Sequence, residues 1–286
     1  MFSFTKYLDP KNDLAFQKIF GDEKRKNIPI SFLNAVLHLQ GEDQIFDLEF
    51  INPLPLYSAR GQKESVVDVL IKDQRGGRYI VEMEVSKTPG FEKRAQYYSA
   101  ETYGQHLNEG GKYSDVKEII FLALTSYNVF PKKTDYKSEH VILKIAGLDL
   151  KNFSFTFVEL PKFTKKAEEL KTIEDQWYYF FKHARDSNQI IPALASNSEI
   201  RNAYDSVERF GWTDQEIRSY DNNMMALMDA RCRLEAAYEE GLQQGIREGR
   251  KRLIQNLLAE NLPLATISEI TGYSEKEIVS LADLIV

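Results

Sequence analysis

Two short apolar runs, "VVDVLI" at residues 66–71 and "YIVEMEV" at residues 79–85, flank the turn-like stretch "KDQRGGR". Runs of this length, bounded by glycine-bearing turn chemistry, read as two strands of a hairpin. Each carries acid where the chain otherwise writes valine or isoleucine: Asp68 in the first, Glu82 and Glu84 in the second. Antiparallel pairing with Lys72 facing Arg78 centres the turn on Arg75 and sets Asp68 directly opposite Glu82. Side chains alternate along a strand, so Val67, Val69 and Ile71 fall on one face with Tyr79, Val81, Met83 and Val85, the expected core face. Val66, Asp68, Leu70, Ile80, Glu82 and Glu84 fall on the other.

Directly opposed residues have Cβ atoms about 4.5 to 5.5 Å apart, and like charges at that distance repel. Exposure to water, a raised pKa with one shared proton, or a bound cation can each offset the repulsion. The neighbours Val66, Leu70 and Ile80 speak for a partly covered cleft and against full exposure. A divalent, oxygen-preferring ion fits best: magnesium, with manganese as substitute, is held by one or two carboxylates together with water and substrate phosphate. The pattern points toward metal-assisted phosphodiester chemistry. A solvent-facing hairpin whose acids do nothing is the competing reading.

The chain has 286 residues, 43% of them hydrophobic and 12% aromatic, enough for one large domain or a domain with appendages. One cysteine, Cys232, and four scattered histidines (His38, His106, His140, His183) give no zinc-ligand spacing. No apolar stretch of roughly 18 residues and no basic-then-apolar leader is present, so no membrane association and a cytoplasmic location are expected. A net charge of -6 argues against coating nucleic acid by bulk electrostatics. It leaves room for a local basic groove, and lysines are frequent from Lys112 to Lys166, including Lys132, Lys133, Lys137, Lys144, Lys151, Lys162 and Lys165.

"DPKNDLAFQKIFG" reads as a helix with Asp9 as N-cap, Pro10 at the first position, Phe16, Ile19 and Phe20 on one face and Gly21 as the stop. A second helix follows in "IPISFLNAVLHL". "NPLPLYSARG" reads as a connection. Residues 91–107 read as helix, "VKEIIFLALTSY" and "FSFTFVEL" as strands, residues 174–207 as helical, and residues 214–259 as one long helix. The order predicts a mixed α/β layer structure. Gly241, Gly245 and Gly249 recur every four residues in that long helix, where glycine is unfavourable, which speaks for a close helix contact or a loose linker. The C-terminal segment carries two expected capping boxes, Thr266 with Glu269 and Ser274 with Glu277, around a turn at Gly272. It reads as a small packing or oligomerisation hairpin in preference to a DNA-reading helix-turn-helix.

The aspartate, the turn and "VEMEV", with "YLDPKNDLAFQKIFG", "FLNAVL", "FEKRAQYYSAETYGQ", "EIIFLAL" and the tail "ISEITGYSEKEIVSL", resemble the PD-(D/E)XK nuclease superfamily. Within it they resemble the recombination-promoting nuclease or putative transposase family. The resemblance implies an α/β fold of the restriction-endonuclease type, a central mixed sheet flanked by helices with a helical C-terminal extension. The chain is expected to divide into a nuclease-like domain at residues 1–230, including a helical C-terminal part, and a tail at residues 231–286 whose glycine spacing and terminal hairpin offer a route to homo-oligomers. The resemblance also implies magnesium-dependent DNA endonuclease activity, with Asp68 and Glu82 as catalytic metal ligands and Glu84 at the third motif position. The superfamily usually has lysine there and this branch glutamine. Glu84 departs from both, offering a general base or a further metal ligand in place of positive charge. Asp13 stands where the family also has an acid. Arg94 and Tyr97, one turn apart on the following helix, share a face toward the cleft, where arginine can bind phosphate. Lys63 or Lys87 could add positive charge from loops, while Gln96 and Tyr98 read as packing or surface. The alternative is a catalytically silent nuclease-fold protein acting in nucleic-acid binding or assembly.

Overall fold

A computed structural model describes residues 5–51, 67–105, 112–141 and 153–283. The readings made for Lys63, Val66, His106, Lys144, Lys151 and the connection at residues 52–61 lie outside the described residues. The chain forms two compact units, Met1–Met224 and Met225–Val286.

The first unit is built on one six-stranded sheet. Its strands are β1 (Leu48–Phe50), β2 (Val69–Asp73), β3 (Arg78–Glu84), β4 (Ile119–Thr125), β5 (Lys137–Val141) and β6 (Phe153–Glu159), in the order β1-β2-β3-β4-β6-β5. β3, β4 and β6 are parallel and the other pairings antiparallel. The helices are α1 (Asp13–Phe20), α2 (Asn27–Val36), α3 (Phe91–Gly104), α4 (Ile173–His183), α5 (Pro192–Ala195), α6 (Ser198–Ser206) and the start of α7 (Asp214–Ala259). This is the mixed α/β layer structure expected from the sequence.

Both sheet faces are buried. The odd-numbered residues Tyr79, Val81 and Met83, with Leu122 and Leu124, pack under α1, α2, α4 and α6. Phe16, Phe20, Phe32, Trp177 and Phe181 form the aromatic centre of that layer, with Phe32 and Trp177 edge to face at 5.6 Å. On the other face Leu70, Ile80, Phe121 and Ala123 pack under Phe91, Ala95 and Tyr98 of α3. What reads in sequence as a partly covered cleft beside Leu70 and Ile80 is therefore a second core. Val67 also joins that second core and not the face of Val69. Residue 68 is a bend and β2 begins at Val69, so strict alternation does not extend back to Val67.

Hairpin register is as the turn chemistry dictates: Lys72 pairs with Arg78, Leu70 with Ile80 and Val69 with Val81. Gly76 sits at φ +92, which a side chain resists, and its N–H donates to the Asp73 carbonyl at 3.0 Å to close the turn. The buried Asp73 carboxylate fastens it, accepting from Arg75 and Gly77 main-chain N–H groups at 2.9 and 2.8 Å and from the Tyr79 hydroxyl at 3.1 Å.

Two local readings are corrected, and one strand, β5, has no counterpart in the sequence reading. α1 starts at Asp13, capped by Asn12, whose side chain accepts from Leu14 N–H. Asp9 instead turns back onto Lys11 N–H at 3.0 Å, so the chain before the helix is a turn. The helical reading of residues 174–207 breaks into α4, α5 and α6, because Pro192 and Asn197 each start a new helix. β5, a polar edge strand, carries little apolar signal to find it by.

In the second unit α7 continues to Ala259 and is followed by α8 (Leu264–Thr271) and α9 (Glu275–Asp283). Ile254, Ile267 and Ile278 from the three helices meet in a small core. Gly272 at φ +73 ends α8, and Ser274 and Glu277 form the expected capping box. Thr266 does not cap, because α8 already begins at Leu264. Gly241, Gly245 and Gly249 lie inside continuous helix, which excludes the linker reading, with open space where each Cβ would stand.

Candidate active site

β3 ends at Glu84 beside β4, with Glu84 in register with Thr125. The carboxyl ends of parallel strands are where open α/β sheets present ligand sites, since side chains there leave the core without leaving the scaffold. Asp68, on the bend before β2, reaches the same end because the hairpin register carries it opposite Glu82.

Two main-chain hydrogen bonds cross-brace the pair. Asp68 N–H donates to Glu82 Oε1 at 3.2 Å, and Met83 N–H donates to Asp68 Oδ2 at 2.8 Å. Glu82 is 5% exposed, so water does not absorb its charge. Burial pushes Asp68 from the ordinary 3.8 up to about 7, opposed by the Met83 N–H and reinforced by the charges of Asp13 and Glu84. Glu82 is raised well above its ordinary range, by burial first and the Asp68 charge second. Of the three offsets to like-charge repulsion, exposure is excluded. Burial and mutual repulsion hold both carboxylates above their ordinary range, leaving a shared proton or a cation as the remaining offsets.

Glu84 lies at the rim with both oxygens engaged. Arg94 of α3 pairs with one, and the Thr88 hydroxyl donates to the other at 2.9 Å. The guanidinium stacks over Phe91 at 5.0 Å, which fixes its plane, and its charge opposes the upward shifts of both Asp68 and Glu82. Positive charge at this edge thus comes from the helix, while the strand position carries the acid that holds it. Asp13 contributes its charge to Asp68 and is held through Asn223 of α7, which donates to Asp13 Oδ2 at 3.5 Å and accepts from Asn12 at 2.8 Å. Tyr97 is 53% exposed and turns to solvent, so Arg94 and Tyr97 are not brought together on the acids. Lys87 is exposed, Gln96 bonds its own helix and Tyr98 packs in the core.

Thr88, Tyr127 and Asn223 escape sequence reasoning. Tyr127 follows β4 beside Glu84 and Arg94, and burial raises its hydroxyl to about 12, so it stays a proton donor. Only the parallel β3–β4 pairing could have revealed it. Asn223 is more than 200 residues from Asp13, and no local pattern signals it.

Among the described residues no group of three or more His, Cys, Asp or Glu side chains converges as a metal cage. The Asp68–Glu82 pair supplies two carboxylates, the donor set magnesium accepts when water and phosphate complete its shell. No helix among the described residues is long and apolar enough to cross a membrane. A family model described as PD-(D/E)XK nuclease family transposase matches residues 10–237. Neither curated proteins nor solved structures give a match to the chain.

Proposed function

The chain belongs to the PD-(D/E)XK nuclease family transposases, and on that footing we propose that it is a magnesium-dependent DNA endonuclease serving recombination or mobile elements. The observation that carries this reading is the cross-braced Asp68–Glu82 pair, Glu82 buried and Asp68 half-buried, short of positive charge at the end of β3. Asp68 and Glu82 hold the ion, with manganese as a substitute. Bound there, it supplies Lewis acidity to the scissile phosphate and lowers the pKa of a water.

The chain's own residues do the rest. The main-chain N–H groups of Asp68 and Met83 fix both carboxylates, so little ordering is required when the ion arrives. Because burial raises Asp68 to about 7, occupancy of the pair by a cation would rise with pH through that range. Arg94, held by Glu84 and Thr88, would set its positive charge beside a phosphate bound at the pair, the task usually given to lysine. Glu84 acts as the anchor of that arginine.

Supercoiled plasmid incubated with protein and magnesium or manganese is expected to be nicked and then linearised, with Asp68→Ala and Glu82→Ala each inactive. Equal cutting by both variants would sink the assignment. The Glu84–Arg94 ion pair also supports a second reading, a silent nuclease-fold protein that binds DNA without cutting. Titration calorimetry separates the two: heat of magnesium binding that disappears in Asp68→Ala favours the nuclease, and its absence in the native protein favours the silent form.

A further inference from the structure

α7 is 46 residues long, and from residue 228 to residue 250 every residue is exposed. Helices in proteins draw most of their stability from packing an apolar face, and this stretch also contains three glycines, the least favourable interior residue after proline. Its apolar residues are not scattered. At 100° per residue, Leu234, Tyr238, Leu242, Ile246 and Leu253 fall on one stripe. They are 63%, 71%, 45%, 39% and 45% exposed. Ile254, which faces the small core with α8 and α9, stands about 130° around the helix from the centre of the stripe, so the stripe is a second face.

The charges beside the stripe identify what covers it. Along its edges Glu239 precedes Gly245, and Arg250 and Arg252 follow it. Glu239 and Arg250 are eleven residues apart, close to three turns, so they stand on the same edge of the stripe. A second copy of the helix laid antiparallel with its two-fold axis at Gly245 brings Glu239 within one residue's rise, about 1.5 Å, of the level of Arg250 of the other copy, and the reverse. It also sets Tyr238 level with Arg252, in reach of a cation–π contact. Parallel, in-register pairing would set Glu239 beside Glu239 and Arg250 beside Arg250. With glycine at residues 241, 245 and 249 adjoining the stripe, the backbones can approach closely where the helices cross, which accounts for the unfavourable residues there.

We propose that residues 231–256 of α7 form an antiparallel homodimer interface, two-fold symmetric about Gly245, closed by apolar contacts along the stripe and by reciprocal Glu239–Arg250 pairs. The interface is isologous, as a two-fold dimer requires.

Cys232 is the chain's one cysteine and is exposed, so a spin label needs no other substitution. Antiparallel pairing about Gly245 separates the two labelled backbones by twenty-six residues of helical rise, about 40 Å, whereas parallel pairing holds them under about 20 Å. Sedimentation of the full chain is expected to give a dimer, and pulsed electron resonance a separation near the longer distance. Glu239→Arg should raise the dimer dissociation constant at least tenfold, and adding Arg250→Glu should restore it. Circular dichroism of each variant confirms that the helix still forms. A monomer at tens of micromolar, a trimer, a short label distance, or charge reversal without effect would each overturn the proposal.

Discussion

Asp68→Asn should make the metal-free protein more stable at pH 8 while removing its response to magnesium. Asparagine keeps an acceptor for Met83 N–H but cannot ionise. In the native chain Asp68 is raised from 3.8 to about 7, a little over three units. At 1.36 kcal/mol per unit that is about 4 kcal/mol of differential cost to the ionised form. Asp68 is only partly buried and shares its proton with Glu82, so about half survives as a lower bound, giving roughly 2–4 kcal/mol. The sign follows from proton counting. Between about pH 4 and pH 7 the folded state binds more protons than the unfolded state, so stability falls as pH rises through that window. The full cost is present above pH 7 and absent below pH 4. Urea unfolding with chelator at pH 4 and pH 8 should show no difference between native chain and variant at the lower pH. At the higher pH the variant should lead by roughly 2–4 kcal/mol, about 5–10 °C in a melt of a unit this size. Magnesium should then raise the native chain by a margin that grows with the logarithm of its concentration, and leave the variant unmoved. A variant less stable at pH 8, or a difference independent of pH, refutes the reasoning.

Arg94→Ala should lower plasmid cleavage by about 100-fold, the usual loss for one preorganised charge donor. Glu84→Lys in that background, by returning positive charge to the strand, should recover much of it; no recovery in a nicking assay would separate Arg94 from the lysine role. Asp73→Ala should destabilise by about 3 kcal/mol in chemical denaturation, since it leaves Arg75, Gly77 N–H and the Tyr79 hydroxyl without their acceptor. Trp177→Ala, at the centre of the aromatic layer, should cost about 3–5 kcal/mol without altering calorimetric magnesium affinity at temperatures where it remains folded.

The hairpin was legible because a short loop and a period of two fix register together: once Lys72 faces Arg78, Asp68 must oppose Glu82. The mixed sheet follows from continuous apolar runs such as "EIIFLAL", which only a strand covered on both faces tolerates. Other features depend on geometry that spacing does not encode. Val67 changes face because one bend precedes β2. The sequence reading puts the cap at Asp9, but Asp9 is drawn onto Lys11 and Arg185, and Asn12 caps α1 instead. At Glu84, sequence shows an acid where lysine is usual. That a helix ten residues on supplies the missing charge emerges only when α3 packs against the sheet.

The treatment of the other buried acids supports the proposal that the Asp68–Glu82 pair takes a cation from solution. Asp9 has Lys11 at 2.8 Å, Asp73 has Arg75 at 2.9 Å, Glu159 has Lys162 at 2.6 Å, Glu174 has Lys137 at 3.2 Å, and Asp175 has Lys165 at 2.6 Å. A buried carboxylate without a partner is expensive, and here the fold supplies a lysine or arginine wherever one is buried for structure alone. Among the described residues Glu82 is the exception, receiving only a main-chain N–H. Arg94, the nearest cation to act on it, is held by Glu84 at the rim. A lysine inserted between Asp68 and Glu82 would relieve their repulsion and stabilise the hairpin, but it would also occupy the place a divalent ion must take. The instability of the pair at neutral pH and its capacity to bind metal are thus one property, and substituting either acid should change both together.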